Sequence, residues 1–375
     1  MVTLSAREQL KLEILVKVMA GIMTSKTGAM LLEVDPRTFR RYLKAYREKD
    51  VMSIKHGNTQ HRPHNKTNDQ IKSHVIDLVK EKYFDFNILH LQEKLREEGL
   101  KINRETLRKW CHEIGMVKRS KRRRSHPRYH RDRMSQAGMM VQFDGSHHRW
   151  FDGRETCLLA AIDDATNEVY AKFFEGETSL ACLEILGEMV REKGCFRTLY
   201  VDKAGVYGGI KREGFSQVQR ALGEIDTHTL FAHSPQAKGR IERLFNTLQD
   251  RLIPEMRINK IRTMSQANDY LQNVYLPSHN ARFMVIPRNL QSLYRPVHPS
   301  WNLEGIFCIK EYRVIGNDHT INLEGEKYKI ADQLKYSISN QRLEIRRYKE
   351  GPWKCFFAGK EISMVKIEKI KKLAA

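Results

Sequence analysis

From residue 137 onward the hydrophobic pattern of the chain changes period, and this change restricts the possible folds more than any other feature. MMVQFDGSHHRWF, TCLLAAIDDAT and VYAKFFEGET are short segments rich in β-branched and aromatic residues, the composition that suits a pleated, half-buried surface. Asp152-Gly153 between the first two is a two-residue hairpin signal. SLACLEILGEMVREKG then reads as a helix with Ser179 near its start. FRTLYVDKAG reads as a strand, FSQVQRALGEI as a helix, THTLFAHS as a strand and SPQAKGRIERLFNTLQDRL as a helix. Three antiparallel strands followed by alternating helices and strands predict one mixed five-stranded sheet flanked by helices, an α/β core over residues 137–295 whose last part, 258–295, looks helical.

The flanks have other periods, so the chain is expected to be multidomain. Residues 7–22 read as one helix and TSKTGAMLLEVDPRTFRRYLKAYREK as two more, broken at Val34 and Asp35. Asp35 caps and Pro36 takes the first helical position. Phe39, Tyr42 and Leu43 then point inward and leave Arg37, Thr38, Arg40, Arg41 and Lys44 outside. That is a helix-turn-helix with a basic second helix, assigned to residues 1–52. SIKHGNTQHRPHNK, residues 53–66, is a polar linker. Its His56, His61 and His64 have no cysteine or carboxylate at ligand spacing and read as solvated. A second helix-turn-helix is expected over 67–116, with Asn103 capping RETLRKWCHEIG, Leu107 and Trp110 in its core, and Arg104, Arg108 and Lys109 outside. Residues 117–136 form a basic linker. Residues 300–375 return to strands, with turn signals at Asn317-Asp318 and Gly325, and predict a small β-barrel with a basic tail.

Charge indicates the partner. Sixty-six Lys and Arg against 45 Asp and Glu give a net charge of +21, which calls for a polyanion, nucleic acid first. VKRSKRRRSHPRYHRDR, residues 117–133, holds nine of the basic residues and one Asp, so Lys121, Arg122, Arg123 and Arg124 are placed to track a phosphate backbone. The six cysteines include no C-x-x-C pair, which indicates neither a zinc site nor a disulfide framework and fits a reducing cytoplasm. Arg7, Glu8, Lys11 and Glu13 interrupt the first apolar pattern, and no run approaches the roughly 18 apolar residues of a membrane span. A soluble intracellular protein without a membrane partner is expected.

One glutamate stands out against this background. In the helix SPQAKGRIERLFNTLQDRL, expected to start at Ser234 and Pro235, Ile241, Leu244, Phe245, Leu248 and Leu252 make a buried stripe. Glu242 is rotated about 100° away from it. It would lie in the second or third turn, either paired with Lys238 on the surface or facing a polar site. Asp144, at or near the end of the first strand, and Asp202, closing LYVD, can approach it across adjacent strands. Three converging carboxylates repel unless divalent cations neutralise them. Hard oxygen ligands suit Mg²⁺ or Mn²⁺, and an ion pair of this kind serves phosphoryl transfer. Asp163 and Asp164 read instead as turn residues. His147 and His148 either finish the strand or touch DNA, and His279, Asn280 and Arg282 read as packing, with DNA contact as the alternative.

VQFDGSHHRW, AAIDDATNEVYAKFF, LYVDKAG, AHSPQAKGRIERLFNTLQDRL and HNARFMVIP resemble the DDE transposases of bacterial insertion sequences, most closely the ISNCY-type group, within the retroviral-integrase superfamily. The resemblance covers essentially the whole chain. It implies an RNase H-like integrase core between the helix-turn-helix units and the β-domain, with Asp144, Asp202 and Glu242 as the catalytic, metal-binding triad for Mg²⁺ or Mn²⁺, as two ions. It also implies DNA cleavage and strand transfer at terminal inverted repeats and target DNA, a homo-oligomer on double-stranded DNA at the bacterial nucleoid, and DNA contacts from Lys238, Arg240 and Arg243. Two rival readings stay open from sequence: an RNase H-like nuclease that only cuts, and a DNA-binding regulator that keeps the fold.

Overall fold

A computed structural model of the chain describes residues 4–55, 67–117, 131–151, 153–202, 207, 216–232, 238–332 and 336–367. It separates into two compact units, Met1–Val75 and Ile76–Ala375, and the division falls within a helix, α4.

In the first unit, α1 (Ala6–Met19), α2 (Ser25–Leu31) and α3 (Pro36–Lys49) enclose Ile14, Leu15, Ala29, Phe39 and Leu43. The Asp35 carboxylate accepts the Arg37 N–H at 2.8 Å and caps α3, with Pro36 in its first turn. Gly28 is required where α2 meets α3, since a Cβ there would lie 2.5 Å from the Phe39 ring. Arg37, Arg40, Arg41 and Lys44 are exposed and Thr38 is half-buried.

The second unit begins with the rest of α4 (Asp69–Glu81), then α5 (Ile88–Glu97) and α6 (Arg104–Glu113). Asn103 caps α6 through the Glu105 N–H at 2.9 Å. Leu107 and Trp110 are buried, and Arg104, Arg108 and Lys109 are exposed.

The mixed sheet is built from β1 (Val141–Phe151), β2 (Arg154–Asp163), β3 (Val169–Phe174), β4 (Thr198–Val201) and β5 (His228–Phe231) in the order β3-β2-β1-β4-β5. β1, β2 and β3 are antiparallel, and the first hairpin closes at the Phe151–Arg154 pair, with Gly153 at φ +69°. Asp152 lies outside the described residues. β4 pairs parallel with both β1 and β5. One face, carrying Val141, Phe143, Leu159 and Leu199, is covered by α7 (Ser179–Lys193) and α8 (Gln217–Gly223). The other face, carrying Leu158, Ala160 and Ile162, packs on Ile241, Leu248 and Leu252 of α9 (Gly239–Ile258). Both faces of β2 are therefore buried, which is why it reads as an unbroken apolar run.

Three sequence expectations change. α9 is described from Gly239, with Ser234 and Pro235 outside the described residues, so Glu242 sits in its first turn rather than its second or third. The helical reading of 258–295 holds only for α10 (Met264–Tyr270), a π turn over Leu271–Tyr275 and α11 (Leu276–Phe283). Met284 is extended, and Pro287 cannot continue a helix. The β-barrel gives way to two open sheets. β6 (Ile309–Val314), β9 (Arg342–Arg347), β10 (Lys354–Phe357) and β11 (Lys360–Ile362) form one; β7 (Thr320–Leu323), β8 (Glu326–Ile330) and β12 (Met364–Lys366) form the other. Strands of three to six residues face each other across Ile315, Ile321, Leu343 and Ile345 without closing edge to edge. The short helix α12 (Leu303–Ile306) precedes them.

Two further devices fix the region around α9. Asn268, Gln272 and Asn280 bond the Phe173, Ala171 and Val169 backbone and occupy the free edge of β3, which blunts it against strand addition. α5 is fastened to α9 by Glu93 on Arg251 at 2.7 Å and by His90 and Lys94 on Glu255 at 2.9 Å, and Glu93 also pairs with Arg282 of α11.

Candidate active site

Alternation along β1 sends Val141 and Phe143 into the α7 side of the sheet and leaves Gln142, Asp144 and Ser146 facing α9. Asp144 is the fourth residue of an eleven-residue strand, not its last. It is nevertheless at a strand end on one side, because β4 pairs with β1 only through Val141–Leu199 and Gln142–Tyr200. Continuing that register by two residues sets Asp144 level with Asp202, the first residue after β4, about one strand spacing of 4.8 Å away in the sheet.

A buried lysine lies between them. Lys238, immediately before α9, is 5 % exposed, with its Nζ 2.9 Å from Asp144 and 3.9 Å from Asp202. The sequence-level alternative of a surface pair between Lys238 and Glu242 therefore does not form: the lysine turns inward. Burial pushes the Asp144 carboxyl above its usual range, and the Lys238 charge offsets this only in part. Glu242 is exposed in the first turn of α9, where the helix dipole favours an acid. Among the described residues the three carboxylates do not close to within 4.8 Å of one another.

The first turn of α9 is held by a network that sequence reading missed. Gln142, fully buried, accepts the Ile241 N–H at 3.3 Å and donates to Asp164 at 2.7 Å. Asp164 also accepts from Arg240 at 2.8 Å, from the Met134 N–H at 2.8 Å and from Arg131. Burial would raise its carboxyl, but the Met134 N–H and the charges of Arg131 and Arg240 hold it below the usual range. Arg240 is thus committed to Asp164, and of the three basic residues around Glu242 only Arg243 faces outward. Asp163 does carry the turn, accepting from Ala165 and Thr166 at 2.9 and 3.0 Å.

On the opposite face of β1, Tyr207 is buried against Phe143 and donates to Glu177, just before the Thr178 cap of α7. This anchors the chain five residues past Asp202. His147, Cys157 and Glu177 bring ligand atoms within 4.8 Å of one another there, but the Glu177 carboxylate is already engaged by Tyr207. His279 stacks on Tyr275 and Arg282 pairs with Glu93. Lys121, Arg122, Arg123 and Arg124 lie outside the described residues, as do His56, His61 and His64.

The sheet thus sets two aspartates level on adjacent strands, in a strongly basic chain. The chain is 32 % identical over 364 residues to the protein named transposase y4bF of Sinorhizobium fredii strain NGR234, across 94 % of this chain and 79 % of that one. It is 28 % identical over 309 residues to the transposase for insertion sequence IS1202 of Streptococcus pneumoniae, across 70 % and 65 %. It belongs to the transposases, enzymes of polynucleotidyl transfer, and its function is DNA transposition. Similar solved structures include a chain of the simian T-cell lymphotropic virus intasome bound to PP2A regulatory subunit B56 gamma, at 15 % identity and TM-score 0.37 over 72 % of this chain and 93 % of that one. The HTLV-2 integrase catalytic core in complex with magnesium, in its trimeric form, gives 13 % and 0.30 over 36 % and 82 %. No family model matches the chain.

Proposed function

We propose that this transposase binds the ends of its element and performs metal-dependent strand cleavage and strand transfer, with Asp144, Asp202 and Glu242 as the metal-binding triad. The observation that carries the reading is the cation position between Asp144 and Asp202, taken by the Lys238 ammonium. Burial holds Asp144 above its usual pKa range even with that ammonium beside it. Hard carboxylate oxygens on adjacent strands fit Mg²⁺ or Mn²⁺. Two such ions on these residues would supply an activated attacking oxygen and a stabilised leaving oxygen.

The protein's own residues do the rest. Gln142, Arg240 and Asp164 fix the first turn of α9 against β1 and so set where Glu242 stands. Tyr207 and Glu177 tether the chain that follows Asp202. Water attacks first and frees a 3′-hydroxyl, which then attacks a target phosphodiester in line, without a covalent protein intermediate. Double-stranded ends are read by the helix-turn-helix of residues 1–52, through Arg37, Thr38, Arg40, Arg41 and Lys44, and by the unit of 67–116, through Arg104 and Arg108. Lys121 to Arg124 and Arg243 hold phosphates, Lys238 and Arg240 stand beside them, and the enzyme works as a homo-oligomer on DNA.

Asp144→Asn, Asp202→Asn and Glu242→Gln are each expected to abolish cleavage and joining of end DNA with Mg²⁺ or Mn²⁺ while end binding persists. Substantial cleavage by any one purified variant would remove that residue from the triad.

A further inference from the structure

We propose that an arginine-lined pocket beside the first turn of α9 is a subsite for one backbone phosphate of the DNA, adjoining the catalytic carboxylates. The pocket, about 170 Å³, lies between α9, the end of β2 and α11, and Arg133, Asn167, Arg240, Arg243 and Thr247 line it. A second recess shares Arg133 and Arg240 and adds Arg131 and Arg288.

The charges in these walls do not balance. Five arginines, Arg131, Arg133, Arg240, Arg243 and Arg288, meet two carboxylates: exposed Asp132, which Arg288 pairs at 3.7 Å, and buried Asp164, which Arg131 and Arg240 already occupy. Arg133 and Arg243 bond neutral acceptors. Arg133 donates to the Asn167 side-chain oxygen at 2.5 Å and Arg243 to the Gly239 carbonyl at 2.8 Å. Among the described residues neither has an ion-pair partner. Burial pushes the Arg133 guanidinium below its usual range, and repulsion from Arg240 and Arg243 adds to this. Like charges held together in a recess are relieved by an anion, and guanidinium forks match the oxygens of a phosphate.

Topology places this recess in line with the chemistry. In the order β3-β2-β1-β4-β5, Asp202 lies on the β4 side of Asp144 and the pocket on the β2 side. Arg243 follows Glu242 directly on α9. A DNA strand laid across the three carboxylates meets the pocket as it leaves them, so the subsite would hold a phosphate flanking the one that reacts. Asp164 organises the pocket: by binding Arg131 and Arg240 it lets them stay, while Arg133 and Arg243 are left for the ligand.

This inference rests on the proposed active site, and its test is chosen to fail separately. Duplexes of the element's end would carry a single uncharged methylphosphonate at successive backbone positions. Their affinities would be measured for the full-length protein, for Arg133→Gln and for Arg243→Gln, all checked for wild-type thermal unfolding. Arg131 and Arg240 are left alone because they hold Asp164. One position is expected where the neutral linkage weakens wild-type binding about tenfold, a loss of about 1.4 kcal/mol, yet weakens the arginine variants less than about twofold. Both variants should also lower the slope of log K against log salt by up to about 0.9. If no position is coupled to either arginine, the subsite is overturned, even if the variants bind weakly. Inorganic phosphate is added alone in a second arm. Stabilisation by it that Arg133→Gln abolishes, without coupling on DNA, would make this a free-anion site and overturn the DNA assignment. Glu242→Gln runs in parallel: cleavage by that variant would sink the triad while leaving the binding result intact.

Discussion

At Asp164 a carboxylate with no exposed surface accepts four donors, two of them arginines. Replacing it with asparagine removes the one carboxylate that, among the described residues, pairs with both Arg131 and Arg240, and turns an acceptor into a partial donor. Breaking a buried pair by removing one partner costs about 3 to 5 kcal/mol, so Asp164→Asn is expected to melt several degrees below the wild type and to loosen the first turn of α9. A variant that melts with the wild type and cleaves normally would show that the network is incidental. Sequence reading placed Asp163 and Asp164 together as turn residues; Asp163 ends β2 and its carboxylate caps the turn, whereas Asp164 lies in the turn but sends its carboxylate to Arg131, Gln142 and Arg240. Nothing local separates them. The donors that give Asp164 its role come from Arg131 and Arg240, whose meeting requires the sheet to bring two distant segments together, and a single sequence does not show that. Lys238 was hidden for the same reason: from sequence its nearest acid is Glu242, while in the fold it is Asp144. Gln142 was more accessible, since β alternation puts it on the same face as Asp144.

Elements specified by local chemistry were legible, and those ended by tertiary context were not. The Asp35 cap, the Asn103 cap and the hairpin at Gly153 stand where their residue types put them. The end of α11 does not, because an apolar, proline-punctuated stretch can read as helix until the chain is seen to leave β3. Around α11 the packing makes a pH-dependent prediction. His279 is buried, stacks on Tyr275 and lies tilted against Phe283, and among the described residues its Nδ1 has no hydrogen-bond partner. Burial, with Arg251 and Arg282 beside it, holds the imidazole down at about 4. Between the ordinary value of 6.5 and about 4 the unfolded chain binds a proton that the folded one refuses. Stability from this site is therefore complete above pH 6.5 and is lost as pH falls through that window, by up to about 3 kcal/mol. His279→Phe keeps the ring stack and cannot titrate. Its melting temperature should fall less than that of the wild type between pH 7.5 and pH 5, and equal falls would exclude His279 as the source.

For the whole molecule, the division into two compact units suggests that recognition and chemistry can be perturbed separately. The first unit has its own core and presents Arg37, Arg40, Arg41 and Lys44 to solvent from α3, whereas the carboxylates and the arginine pocket belong to the second. Residues spaced along one helix face cannot all reach base edges, since some must meet the groove walls. Side chains near the N-terminus of a recognition helix enter deepest. Arg37 is two residues past the Asp35 cap, within the first turn, and Thr38 beside it is half-buried; Arg41 and Lys44 lie one and two turns further on. Arg37→Ala is accordingly expected to cost about 1 to 3 kcal/mol on the cognate end and far less on random duplex. Lys44→Ala should weaken both alike. Neither change touches Asp144, Asp202 or Glu242, so cleavage measured at saturating end DNA should stay near wild type in both. Binding isotherms on cognate and scrambled ends at one salt concentration decide the matter. An unchanged specificity ratio in Arg37→Ala would move base reading to α6 of the second unit, where Arg104 and Arg108 are the exposed candidates.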